Sequence, residues 1–415
     1  MFARRVGIGK NLILIIIWGV WIFSLLFLRK WHILGPVSFR NFAGIIIVPI
    51  AFFILRSTKI TNVIKLYFLW NAYYIIINSL NGVDVVFTNN FLAYNVISFC
   101  IIYAIPKLVN NTKSLTIITL WFVFFFVFNS FVTIYQFFNN SIAWAISSFI
   151  CPISEDDLQQ LSYYENADDL LSQSICSGLN GFVVTNGNFI ASFIPIVTIL
   201  IWEKKNIYKI AGLIILMLGL ASAFCTQQRM CFLLVALYIV YVIHCRVSSV
   251  YKPFLFVFAL LFVLLFIDSS LFEISSYGRL LSTDANGRSQ TWEMTEMYFT
   301  NIHYFLTGSM SGGQYAEEMM KTMGHNCFLD ALRRGGILSL VIYIILFFMV
   351  IIEIKNVIIE SKNKRFFFAL CFALAALFNI LYSFTHSSNI ISGNIFFWLS
   401  YSLMHASLRI EANNS

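Results

Sequence analysis

Three stretches of this 415-residue chain carry residue types that could grip an anion and move a proton. The first is Cys225-Thr226-Gln227-Gln228-Arg229. The second holds Arg279 after Gly278, then Gly287-Arg288-Ser289-Gln290-Thr291-Trp292. The third runs Gly324-His325-Asn326 through Arg333-Arg334-Gly335-Gly336. A guanidinium is planar, always charged and matched to phosphate through paired N–H bonds. The turn signal Asp284-Ala285-Asn286-Gly287 predicts a helix from Arg288 to about Phe305. Its residues Met294, Tyr298, Ile302 and Phe305 recur at helical spacing, so it could lie on a membrane surface. Arg288 would then occupy a first turn, where free amides also favour an anion. His325 stands at the mouth of an apolar helix, and an imidazole near neutrality can take a proton from a hydroxyl. On a helix, Arg333 falls within about 80° of His325 around the axis and Arg334 points elsewhere. Trp292 and Asn326 are the supporting neighbours. Plainer readings stay open: Arg229 as an interfacial arginine reaching for water, and His325 as a capping residue. The Gly308–Gly313 turn lacks the Gly-Lys-Ser/Thr of a phosphate-binding loop, and no Cys/His pair has zinc spacing.

What positions these residues is a membrane-embedded scaffold. Hydrophobic residues make up 59% and charged residues 11% of the chain. So few charges cannot cover the surface of soluble domains of this size. In lipid, every backbone polar group must be satisfied within its own segment, which leaves helices. An all-α polytopic fold of one integral domain over 1–415 is expected. Twelve spans are read at 11–28, 37–55, 61–79, 91–109, 115–137, 187–202, 208–226, 230–244, 253–268, 332–352, 366–384 and 388–408. One set of span ends carries 18 of the 27 Lys and Arg and only 4 of the 19 acids. That basic side is expected in the cytoplasm, with both termini. The +8 balance then reports topology and gives no reason to invoke nucleic acid.

Two long connections fall on the opposite, outer side, at 138–186 and 269–331, and long loops tend to carry function. The first is acidic, with Glu155, Asp156, Asp157, Glu165, Asp168 and Asp169 and no Lys or Arg. It reads as a solvated cap or a cation-binding face. It also holds Cys151 and Cys176, which an oxidising compartment would allow to pair or leave as thiols. The second holds Arg279, Arg288, Trp292, His325 and Asn326. His32, His244, His303, His386 and His405 have no comparable setting and read as structural.

In motif order from about 187 to 352, and in topology throughout, the chain resembles the O-antigen polymerase and ligase superfamily of inner-membrane glycosyltransferases. The resemblance rests on Thr226-Gln227-Gln228-Arg229, on Gly287-Arg288 with Trp292, and on His325-Asn326 with Gly336. It implies a GT-C-like architecture with the active site at the periplasmic face. It implies an undecaprenyl-pyrophosphate-linked oligosaccharide as donor, and as acceptor in a polymerase. Arg229, Arg288 and Arg279 would bind pyrophosphate, and His325 would deprotonate the acceptor hydroxyl. Transfer would invert the anomeric carbon and need no metal or other cofactor, since arginines stabilise the leaving charge. Membrane lipids and a chain-length-determining membrane protein are the implied partners. Two departures stand out. The paired Arg-x(10)-Gly motifs of some polymerases are missing, and the ligase pattern after Gly336 meets Ser339. Polymerase is favoured over ligase, which differs only in its acceptor, the lipid A core.

A flippase or transporter would also have about twelve spans. Such proteins place ionisable residues near the midplane and break helices there. Here the charges fall at span ends and the chain holds six prolines, which favours an enzyme.

Overall fold

The computed structural model describes residues 12–34, 37–53, 61–80, 95–138, 140–152, 176–181, 183–202, 206–246, 300–308, 327–384 and 394–414. Within them the fold is all-α, with 13 α-helices. They are α1 (Leu12–Phe27), α2 (Phe39–Phe52), α3 (Asn62–Leu80), α4 (Ile97–Leu108), α5 (Thr112–Phe137), α6 (Ser141–Ile150) and α7 (Val183–Val197). A 3-10 turn, Thr198–Trp202, follows α7. Then come α8 (Asn206–Cys225), α9 (Arg229–Arg246), α10 (Ile302–Thr307), α11 (Cys327–Lys364), α12 (Phe367–Ser383) and α13 (Ile395–Ala412). Every expected span meets a helix except 253–268, which lies outside the described residues. Five helical stretches are long and apolar enough to cross a membrane: Asn62–Leu80, Thr112–Phe137, Val184–Ile201, Asn206–Cys225 and Cys327–Lys364. The chain is on this basis a multi-pass membrane protein.

Two expectations change. The connection at 138–186 is not all loop. Asn140 caps α6 by accepting from the Ile142 and Ala143 amides, and the apolar run that follows, Ser141–Ile150, is helical. The helix expected from 288 to 305 does not run through: Asn301 is extended, with φ −109° and ψ 108°, and caps a new six-residue helix, α10. Its side chain accepts from the His303 amide, so the Asn takes the capping role that overrides the apolar spacing. A two-stranded hairpin, β1 (His32–Leu34) with β2 (Val37–Ser38), forms the short connection from α1 to α2.

The chain forms two compact units, 1–125 with 286–415, and 126–285. In the first, helix packing relies on small residues and hydrogen bonds, because lipid supplies no hydrophobic drive between helices. The Trp121 ring lies where a side chain at Gly19 would be, and its indole N–H donates to the Ile15 carbonyl at 2.8 Å. The Trp21 indole donates to the Ala43 carbonyl at 2.8 Å. The C-terminal helix is tied down twice. Arg409 Nη2 donates to the Pro106 and Val109 carbonyls at the end of α4, and Glu411 accepts from the Phe368 and Ala369 amides that open α12.

In the second unit, buried carboxamides clamp the turn at 176–181. Asn129 Oδ1 accepts from the Leu179 amide and Gln136 Oε1 from the Gly178 amide, each at 2.8 Å. Asn129 Nδ2 donates to Asn186 Oδ1, and Asn186 Nδ2 to Thr133 Oγ1 and the Cys176 carbonyl. Ser147, on α6, donates to the Gly178 carbonyl. A polar turn is thus held against apolar helices without orphaning its backbone.

Candidate functional site

The tenth apolar segment begins earlier than its hydropathy predicts and is not continuous. Helix α11 starts at Cys327 and breaks at Gly335 (φ −161°, ψ 23°) and Gly336 (φ 69°, ψ −161°). The conformation at Gly336 is open only to glycine. The apolar run after the break, 337–352, is about 24 Å long at 1.5 Å per residue, most of the roughly 30 Å of a bilayer core, and the charges from Glu353 onward follow it. The break therefore sits at one end of the span, far from its middle.

Helix α10 is seated on this break. A Cβ at Gly336 would lie 2.2 Å from the Leu306 carbonyl oxygen. A Cβ at Gly308, itself at φ 78° and ψ 173°, would lie 2.4 Å from the Arg333 carbonyl oxygen and 2.8 Å from the Gly335 nitrogen. Two glycines thus bring the segment after residue 300 into backbone contact with the start of α11. Helix α3 supports the break from another side. Tyr73 donates its hydroxyl to the Gly335 carbonyl at 2.6 Å, and the Trp70 indole donates to Ser339 Oγ at 2.9 Å.

Just before the break stands a charged cluster. Asp330 is fully buried. Its Oδ1 accepts from Arg333 Nη2 at 2.8 Å and its Oδ2 from Arg334 Nε at 2.9 Å. Positions three and four residues on flank the same helix face, so one carboxylate engages both arginines. The two guanidiniums are 12% and 17% exposed. The spacing Asp-x-x-Arg-Arg was the available signal for this cluster. The supports from Tyr73 and Trp70, some 260 residues away in sequence, had none.

Arg229 lies in the other unit. It is the first residue of α9 and is exposed. The turn before it is tight: Thr226 donates to the Ala223 carbonyl, the Gln228 amide donates to Thr226 Oγ1, and Gln227 is left-handed at φ 54°. Gln227 is 3% exposed, and neither of its carboxamide atoms meets a partner among the described residues.

Of the residues singled out by sequence, Arg229 and Arg333 are thus located, in separate units. Arg279, Arg288, Trp292, His325 and Asn326 lie outside the described residues. So do the acids from 155 to 169. No protein-family model and no curated protein matches this chain.

Cys151 and Cys176 are buried free thiols. Cys151 donates to the Asn180 carbonyl at 3.7 Å, and burial pushes the Cys176 thiol well up from its usual value. Among the described residues, no three His, Cys, Asp or Glu side chains gather as a metal site would need. His303 is exposed on α10, and His405 lies 3.3 Å from Glu353, to which Tyr401 also donates.

Chemically, the start of α11 offers rigid guanidinium groups at the end of an apolar span, directly after His325-Asn326 in sequence. Fixed cations suit chemistry in which an anionic group leaves.

Proposed function

We propose that the chain is an O-antigen polymerase of the inner membrane. It would join undecaprenyl-pyrophosphate-linked oligosaccharide repeats at the periplasmic face by inverting, metal-independent glycosyl transfer. Arg229, Arg279 and Arg288 bind the departing pyrophosphate, and His325 takes the proton of the acceptor hydroxyl. The observation that carries this reading is the break at Gly336. The sequence resemblance picks out a glycine at a fixed distance after His-Asn, and the backbone here tolerates nothing else at that position. Asp330 holds Arg333 and Arg334 in the turn just before that break. A transporter reading would need such a break near the midplane, and an eight-residue lead into α11 puts it at a span end.

The test is chemical. Purified protein given a lipid-linked oligosaccharide should lengthen it and release undecaprenyl pyrophosphate. H325A and R288A should abolish both while inserting normally. Arg229→Lys should impair them, since an ammonium cannot make the paired contact. Wild-type ladders from either alanine variant in cells lacking the native chain would reject the mechanism. Lipid movement across vesicles without product would reject the enzyme. Reporter fusions placing 269–331 in the cytosol would reject the sidedness.

A further inference from the structure

The Asp330 cluster uses its charges in an unusual way. A carboxylate that only stabilises a fold does best with one arginine held by two parallel bonds. Asp330 instead gives one oxygen to Arg333 and the other to Arg334. Arg333 Nε is left buried and meets no acceptor among the described residues. A buried donor left without a partner is costly, and a buried ion pair is in any case a weak stabiliser of a fold. Both arginines are held in the last turn before the glycine break, with α10 and Tyr73 fixing the backbone around them. An orphaned donor on a braced guanidinium at a span end is what a site looks like before its anion arrives.

We propose that Arg333 is a phosphate ligand. Asp330 fixes its plane through Nη2, and Nε is held for an oxygen of a phosphate carried on a lipid. That this phosphate is the diphosphate of a saccharide lipid rests on the function proposed above. A phospholipid headgroup offers the same chemistry, and the experiment separates the two.

The full-length chain in detergent is titrated with farnesyl diphosphate, with farnesol as the uncharged control. In parallel, native mass spectrometry counts phosphatidylglycerol retained from nanodiscs. R333Q is expected to weaken farnesyl diphosphate binding about tenfold, the equivalent of about 1.4 kcal/mol. Farnesol binding and the retained phospholipid should not change. R333K keeps the charge without the planar fork and should lose about threefold. If R333Q instead sheds phosphatidylglycerol and keeps its farnesyl diphosphate affinity, Arg333 holds a phospholipid headgroup. If R333Q does not fold, R333K decides by the same comparison. Wild-type affinity for the diphosphate with wild-type phospholipid retention overturns the proposal. Binding needs no glycosyl transfer, so Arg333-dependent affinity without polymer synthesis would sink the polymerase reading alone. Polymer synthesis with Arg333-independent affinity would sink this one alone.

Discussion

Replacing Gly336 with alanine tests the geometry on which the candidate site depends. At φ 69° and ψ −161° a side chain is strained by about 1–3 kcal/mol. The new methyl would also lie 2.2 Å from the Leu306 carbonyl oxygen. That neighbour is backbone, so relief requires α10 to lift from its seat. Gly308→Ala attacks the same contact from the opposite side, with its own strain at φ 78° and a carbonyl oxygen at 2.4 Å. Each variant should cost about 3 kcal/mol or more in unfolding free energy, strain and lost contact together. Because both destroy one interface, the double variant should cost clearly less than the two losses added. Thermal unfolding in detergent reads the stability, and amide exchange over residues 302–308 reads the undocking of α10. Gly336→Ala within about 0.5 kcal/mol of wild type, the range of a neutral surface change, would refute the reasoning. Strict additivity of the two losses would refute the shared interface.

Asp330→Asn removes the charge that two largely buried guanidiniums share. It should destabilise the protein by about 3–5 kcal/mol in the same unfolding assay, and a loss below about 1 kcal/mol would mean the arginines are solvated. Asn129→Ala strips the Leu179 amide of its acceptor and Asn186 of a donor. Asn186 Oδ1 keeps its longer bond from Asn180 Nδ2, so one buried amide is orphaned, at about 1–3 kcal/mol, visible as early proteolysis near residue 178. Glu411 supplies a pH dependence. Burial raises its carboxyl from 4.5 to about 7. The folded state then holds a proton that the unfolded chain has released, so its contribution is full below about 4.5 and is lost as pH rises through 7. Unfolding temperature should fall over that window in wild type, and Glu411→Gln should remove this part of the slope.

The scaffold was legible in the sequence because lipid leaves few choices. Long apolar runs had to become helices, and α1, α5, α8 and α12 begin and end within a few residues of the hydropathy reading. Boundaries failed where a polar side chain took a local role that hydropathy does not register. Asn140 and Asn301 start helices by capping, and the stretch ahead of Gly335 is helical because Asp330 holds Arg333 and Arg334. The site was legible only as residue types in order. The pair Gly335-Gly336 was visible, but that it meets Gly308 is a contact between residues well separated in sequence, which no local periodicity encodes. The carboxamide clamp was missed for a similar reason: Asn129 and Gln136 sit in an apolar helix and acquire their meaning only from the turn at 176–181.

The two units spend their buried polar groups differently, and the contrast bears on where chemistry belongs. Around the turn at 176–181 the network is neutral, and its hydrogen bonds join carboxamides and hydroxyls to one another and to the backbone. Such a network rigidifies, because every exchange of partners would orphan an amide in a low-dielectric interior. At the start of α11 the buried groups are ionised; both networks leave polar atoms over, Gln136 Nε2 and Asn180 Oδ1 in the first and Arg333 Nε here. In a membrane protein ionised groups are expensive to keep, and their presence by default marks function. A clamp needs no charge, as the first network demonstrates within the same chain. The arginines at the glycine break are therefore better explained by an anion they meet than by the fold they stabilise. The seat of α10 on that break brings residues 305–308 to the same few residues.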